Sequence, residues 1–181
     1  MTSISEAAAL SHVGKVRANN QDSGYAGVQL FVVADGMGGH AGGDVASAIA
    51  VQRLLEIDGV AFASAREAEE RLRSTMTAAN RAISEAVYER PELTGMGTTV
   101  SALVRLGDQI VIGHIGDSRV YLVRDGEMSQ ITDDHTFVQR LVDSGRITPE
   151  EALTHPRRSV LMRVLGDVEA SPDIDTSVLT T

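Results

Sequence analysis

A carboxylate set among glycines is the first candidate for chemistry in this chain of 181 residues. Asp35 follows the apolar run Val28-Gln29-Leu30-Phe31-Val32-Val33-Ala34 and opens Asp35-Gly36-Met37-Gly38-Gly39-His40-Ala41-Gly42-Gly43. Glycine lets the backbone bend so that a carbonyl can join a carboxylate around a hard cation. Two more carboxylates recur in short motifs. Asp22 ends Gly14-x-x-Arg17-x-x-Asn20-Gln21-Asp22, and Asp117 sits in the corner Gly113-His114-Ile115-Gly116-Asp117-Ser118-Arg119. A lone Asp-Gly pair only organises a turn, and Asp125-Gly126 is read that way.

The glycine cluster also fits a second pattern. Gly36-x-Gly38-x-x-Ala41 lies between a strand-like run and a helical pattern, with the acidic Glu56 further on, as in dinucleotide sites. Asp35 argues against it, because a carboxylate there repels a pyrophosphate unless a cation lies between them. The later strands also read as hairpins, not as alternating βα units.

These residues need elements to position them. Residues 28–34 have the length of a buried strand. Asp44 can cap a helix whose apolar face runs Val45, Ile49, Leu55. A second helix is predicted from about Glu67 to Glu89, with Leu72, Met76, Ala79, Ile83 and Val87 at helical spacing, ended near Pro91. Short strands follow at 97–104, 109–115, 119–123 and 128–131, punctuated by turn residues as in an antiparallel meander. Thr136 to Val142 reads as helix. Thr148-Pro149-Glu150-Glu151 is a capping box with proline at the first helical position. His155 to Leu165 is basic and amphipathic, and Ile174, Thr176 and Val178 alternate as in a strand. Helices before a run of strands predict an α+β fold, with helices packed on an antiparallel sheet or β-sandwich.

Composition narrows the functions. Acidic residues outnumber basic ones, 25 against 16, for a formal charge of -9. A duplex binder needs clustered Lys and Arg, so nucleic acid is not an expected partner. With no cysteine, thiolate zinc sites and a cysteine nucleophile are excluded. No signal-peptide pattern or membrane-length apolar window is visible, and the expected location is the cytoplasm.

Five motifs, in order and spacing, carry a family resemblance. They are Gly14-x-x-Arg17-x-x-Asn20-Gln21-Asp22, Asp35-Gly36-Met37-Gly38-Gly39, Gly95-Met96-Gly97-Thr98-Thr99, Gly113 to Arg119, and His155-Pro156-Arg157-Arg158-Ser159-Val160-Leu161-Met162-Arg163-Val164-Leu165-Gly166. Together they resemble the bacterial metal-dependent Ser/Thr protein phosphatases of the PP2C (PPM) family, most of all the actinobacterial type that reverses receptor-like kinases. The resemblance implies a single domain over 1–181 built on a β-sandwich flanked by helices, with a mobile flap at about 134–166. It implies two Mn²⁺ or Mg²⁺ ions, with a third more weakly held. Asp35 would bridge the two, the Gly36 carbonyl would complete one sphere, and Asp117 would help hold the third. Gln21 and Asp22 would sit beside the metals, Gln21 replacing the glutamate of many members. Arg17 would bind the substrate phosphate, and a metal-bridging hydroxide would attack it in line. Met37 stands where many eukaryotic members place a histidine proposed as the acid. A metal-bound water is then the first substitute and His40, read first as a loop organiser, the second. His114 reads as a satisfied buried histidine, and Thr98 and Thr99 as sheet and turn residues. Arg157, Arg158 and Arg163 read as a solvated helix face that could attract phosphoprotein. Implied partners are phosphorylated Ser/Thr proteins, among them a cognate kinase.

One departure shapes the expectation. The family draws two further metal-binding aspartates from turns late in its domain. Asp167, Asp173 and Asp175 come too early and lack the matching neighbours. The sequence therefore reads as an N-terminal portion of such a domain, missing its C-terminal strands. A non-catalytic module that binds phosphoprotein or a kinase is the alternative. The 181-residue chain alone is expected to turn over a phosphothreonine peptide slowly or not at all with Mn²⁺. Turnover at the rate of an intact phosphatase in a phosphate-release assay contradicts this.

Overall fold

The computed structural model describes residues 6–38, 42–167 and 171–180. Strands β1 (Asp22–Ala26) and β2 (Leu30–Met37) pair antiparallel across a short turn. Helices α1 (Gly42–Leu54) and α2 (Ala65–Glu89) follow. Then come β3 (Gly97–Thr98), β4 (Val100–Leu106), β5 (Gln109–Ile115), β6 (Tyr121–Arg124) and β7 (Glu127–Gln130). Helices α3 (Phe137–Asp143) and α4 (Pro149–Thr154) precede β8 (Asp175–Thr180). The main sheet runs β1-β2-β4-β5-β8 with β3 on β2, and β6-β7 is a separate hairpin. The pairings are antiparallel, in agreement with the predicted α+β class.

Alternation decides which face is buried. Leu30, Val32 and Ala34 of β2 share a face with Val104, Ala102 and Val100 of β4, and with Val111 and Ile115 of β5. Leu72, Met76, Ala79 and Ile83 of α2 close over that face at helical spacing, all fully buried. Burial of each of Leu72, Met76 and Ile83 stabilises the fold by about 1.5–3 kcal/mol. Gly113 leaves the room that Leu72 and Met76 fill: a Cβ there would lie 2.8 Å from Leu72 Cδ2. On the opposite face Val33 is 55% exposed, and Phe31 and Leu103 are half-buried.

Several expectations are corrected. Strand β1 was not predicted, since Asp22-Ser23-Gly24-Tyr25-Ala26 is too polar and small to announce a strand. Strand β2 runs on through Asp35 and Gly36 to Met37, so Asp35 stands within a strand and not at its end. Helix α1 starts at Gly42, and its buried face is Ala46, Ala50 and Leu54, flanked by the half-buried Val45 and Ile49. Close packing of α1 on the sheet selects the small side chains. The meander is broken at Gly116-Asp117-Ser118, where the chain leaves the sheet, and β8 takes the place beside β5. Residues 155–165 form turns and two isolated bridges, not a helix. The capping box at Thr148 and Glu151 and the positive φ of Asp125 (54°) and Gly126 (84°) follow the sequence reading. His40 lies outside the described residues.

The dinucleotide reading fails on topology, because β3 and β4, the strands that follow α1 and α2, pair with β2 antiparallel and not parallel as a βαβ unit requires. The glycines serve close approach instead. A Cβ on Gly36 would lie 1.9 Å from the Gly43 carbonyl oxygen, so only glycine lets the first turn of α1 rest on β2.

Asp58, after a 3-10 turn at Leu55–Ile57, pins the β1-β2 turn. It accepts from the Tyr25 hydroxyl (2.7 Å) and the backbone N–H groups of Val28, Gln29 and Leu30 (3.2, 3.0 and 3.1 Å). Burial pushes its carboxyl up, but these donors outweigh that and hold the pKa at about 2. A depressed folded-state pKa gives stability present above pH ~4 and lost as pH falls toward 2. Asp58→Ala is expected to cost about 2 kcal/mol at neutral pH. In urea unfolding at a series of pH values, the gap to the parent chain should close between pH ~4 and ~2. A gap that stays constant over that range contradicts the assignment.

Candidate metal and phosphate site

The register of β1 on β2 sets Asp22 directly opposite Asp35. Opposed residues share a face, and like charges so placed destabilise a strand pair. Burial pushes the Asp35 carboxyl above the usual range. The charge and hydrogen bond of Asp22 raise it further, as does the charge of Asp117, while Arg17 pulls it down. Asp22 and Asp117, from two other parts of the chain, thus act on Asp35, with the Arg17 guanidinium in range. Asp117 is itself raised, by burial and then by Asp134, against the pull of Arg119.

The frame that holds Asp35 is made of hydroxyls. The N–H of Asp35 donates to Thr99 Oγ1 (3.0 Å), while the carbonyl of Asp35 accepts from the Thr99 N–H (2.9 Å) and from Thr98 Oγ1 (3.1 Å). Thr99 Oγ1 lies 2.7 Å from Ser118 Oγ, the residue after Asp117. Thr99 Oγ1 accepts from the Asp35 N–H and has the capacity to share a second hydrogen bond with Ser118, in which either hydroxyl can donate. One side chain therefore ties the backbone of Asp35 to the Asp117 corner. Gly36 and Gln21 meet through the backbone: the Gly36 N–H donates to the Gln21 carbonyl (3.1 Å), which also accepts from Ser47 Oγ (2.7 Å). That contact fixes the segment entering β1 and hence Asp22.

The predicted site residues are brought together in part. Asp22 faces Asp35, Gly36 follows it in β2, and Asp117 and Arg17 are within electrostatic range. Gln21 is placed by its backbone. Among the described residues, no three His, Asp or Glu side chains converge into a ready metal cage. The donor set nevertheless fits a hard divalent cation in kind: oxygen ligands whose mutual repulsion a cation relieves. Thr99 was missed as a support, being read as a turn residue. Its signal was a hydroxyl-bearing pair, Thr98-Thr99, at the break between β3 and β4. Arg119 was also given no role. It makes a two-pronged contact with Asp134 at 2.8 and 2.6 Å, just beyond Asp117. A cleft of about 570 Å³ opens between Asp117 and the α3-α4 hairpin, with Arg158 on its wall.

Comparison with known proteins gives consistent matches. The profile of the family described as Protein phosphatase 2C matches residues 11–162. The chain is 49% identical over 174 residues to the serine/threonine protein phosphatase PstP of Mycobacterium tuberculosis, covering 96% of this chain and 34% of that one. It is 40% identical over 175 residues to the serine/threonine phosphatase stp of Listeria monocytogenes, covering 92% of this chain and 68% of that one. A crystal structure of the catalytic domain of PstP in complex with two manganese ions superposes with a TM-score of 0.79. It is 46% identical, over 91% of this chain and 68% of that one. The chain thus spans about a third of the length of the Mycobacterium relative and about two thirds of the Listeria one.

A carboxyl raised on folding takes up a proton, so its contribution to stability falls as pH rises through its raised pKa. Asp35→Asn removes that charge repulsion. The metal-free variant is expected to melt a few degrees above the parent chain at pH 7 and to lose Mn²⁺ binding. Scanning calorimetry with and without Mn²⁺ checks both, and a variant that melts lower in the absence of metal contradicts the reading.

Proposed function

The chain belongs to the protein phosphatase 2C family. On that premise we propose that it acts as a metal-dependent protein serine/threonine phosphatase, with Asp35 and Arg17 as its catalytic and phosphate-binding residues. The observation that carries this reading is the opposed pair Asp22 and Asp35, with Arg17 in range of it. Asp35 would hold two Mn²⁺ or Mg²⁺ ions together with the Gly36 carbonyl. Gln21 and Asp22 would stand beside them, and Asp117 would serve a third, weaker ion. When bound, such ions supply an activated water and offset phosphate charge.

The chain's own residues then have separable tasks. Asp35 is fixed by Thr98 and Thr99 and keeps its carboxylate on a rigid strand. Arg17 is exposed, which suits a guanidinium that meets a phosphoryl group arriving from solvent. The opposing carboxylates exclude a phosphate until cations reverse the local charge, so phosphate and metal binding are linked. Residues 1–181 are read as one domain in which about 134–166 form a flap over the cleft beside Asp117. Phosphorylated Ser/Thr proteins, a cognate kinase among them, are the proposed substrates, acted on in the cytoplasm. No helix among the described residues is long and apolar enough to cross a membrane.

The test pairs binding with chemistry. Titration with Mn²⁺ in a calorimeter should show more than one ion bound. Phosphate release from a phosphothreonine peptide should require Mn²⁺ and Asp35, however slow it is. Arg17→Ala should raise KM for the peptide severalfold with a smaller effect on kcat. An unchanged KM removes Arg17 from the phosphate site. Tight phosphopeptide binding with no Mn²⁺ uptake and no release favours the non-catalytic module.

A further inference from the structure

His135 is buried, with 1% of its side chain exposed. It grips Gly116 twice. The Gly116 N–H donates to His135 Nδ1 (3.1 Å), and the His135 N–H donates to the Gly116 carbonyl (2.8 Å). Gly116 has φ +110°, a conformation that side chains rarely adopt, and Asp117 follows it directly. The clamp therefore sets the direction in which the chain leaves β5 and presents Asp117.

The other ring nitrogen leads away from the site. Because Nδ1 accepts, the proton of the neutral ring sits on Nε2, which donates to Asp175 Oδ2 (3.0 Å) at the start of β8. Asp175 Oδ1 in turn accepts from Arg163 (2.8 Å), which also reaches Asp173 Oδ2 (2.8 Å). The Met162 N–H donates to the His135 carbonyl (2.8 Å), so the same residue holds the segment before Arg163 by its backbone. Beside it, the His114 ring lies tilted at 54° with 4.8 Å between ring centroids, and it is anchored to Ser101 Oγ (2.9 Å) and the Asp133 carbonyl (3.0 Å). Every polar atom of the His135 ring is thus committed to one side of the Asp117 corner or to the Arg163 segment.

We propose that His135 is a positioning residue that joins the Gly116-Asp117 corner, through Asp175, to Arg163, so that the segment at 157–166 and the Asp117 carboxylate keep one relative placement. The metal role given to Asp117 rests on the function proposed above. Partners of this kind, one step behind a metal ligand, are worth 10–100-fold in metal affinity when removed.

Side chains that keep half of the contact separate the two arms. An asparagine amide oxygen falls near the place of Nδ1 and can accept from Gly116. A glutamine amide nitrogen reaches the place of Nε2 and can donate to Asp175. His135→Gln should therefore lose hydrogen-exchange protection at the Gly116 amide and weaken the weaker class of Mn²⁺ sites roughly tenfold. His135→Asn, which keeps the Gly116 contact but loses the Asp175 arm, should lower both only as far as Arg163→Met does. Arg163→Met should lower Gly116 protection without touching the clamp itself. All are read by NMR exchange and Mn²⁺ calorimetry on the 181-residue chain, with thermal melts showing that each variant is folded. Unchanged Gly116 exchange in folded His135→Gln, or unchanged Mn²⁺ affinity, overturns the proposal. Asp117→Asn serves as the separate control: if it leaves Mn²⁺ binding intact, the metal role of Asp117 fails, whatever the clamp does.

Discussion

Two carboxylates forced face to face across adjacent strands are the constraint on which the site depends. Nothing in strand pairing favours Asp22 opposite Asp35, since a neutral partner at either position would relieve the repulsion. Burial sharpens the conflict by raising the Asp35 carboxyl. The fold must supply the stability that this pair withdraws, and it does so through the apolar layer on the other face of the same strand. Leu30, Val32 and Ala34 alternate with Phe31, Val33 and Asp35 along β2, so one strand carries both the core and the conflict. A cation between the carboxylates turns the repulsion into attraction, which is why the reading as a metal centre explains the arrangement better than a structural one.

Rigidity around the pair comes from small polar groups more than from bulk. Thr98 and Thr99 close on the backbone of Asp35, Thr99 passes the connection to Ser118, and His135 holds Gly116 on the other side of Asp117. Buried hydroxyls and imidazoles of this kind are costly unless satisfied. Among the described residues no buried side-chain polar atom lacks a partner. Such a network fixes backbone geometry at distances an apolar core cannot specify, and the threonines hold Asp35 by its backbone without using its carboxylate.

Much of this was legible in the sequence, and the misses share a cause. Asp35, Asp22, Asp117 and Arg17 stood out because their short motifs, in order, resemble a known family, and the structure sets Asp22 opposite Asp35. Helix α2 announced itself by the spacing of Leu72, Met76, Ala79 and Ile83. The failures were of partnership over long range. Strand β1 is too polar to be seen without knowing that β2 pairs with it. The turn at Gly116 looked like a hairpin because local residues cannot show that His135, nineteen positions on, takes up its backbone groups. Residues 155–165 have the pattern of an amphipathic helix, yet Thr98 and Thr136 draw Leu165 and Leu161 into bridges instead. Local periodicity sees neither contact.

The most direct test of the central claim is the titration of the Asp35 carboxyl itself, followed by carbon-13 NMR in the absence and presence of Mg²⁺. The account predicts a pKa above the ordinary carboxylate range in the metal-free chain, falling sharply as Mg²⁺ is added. An ordinary pKa that Mg²⁺ leaves unmoved would contradict it, and would return Asp35 to the role of a residue that merely shapes a strand.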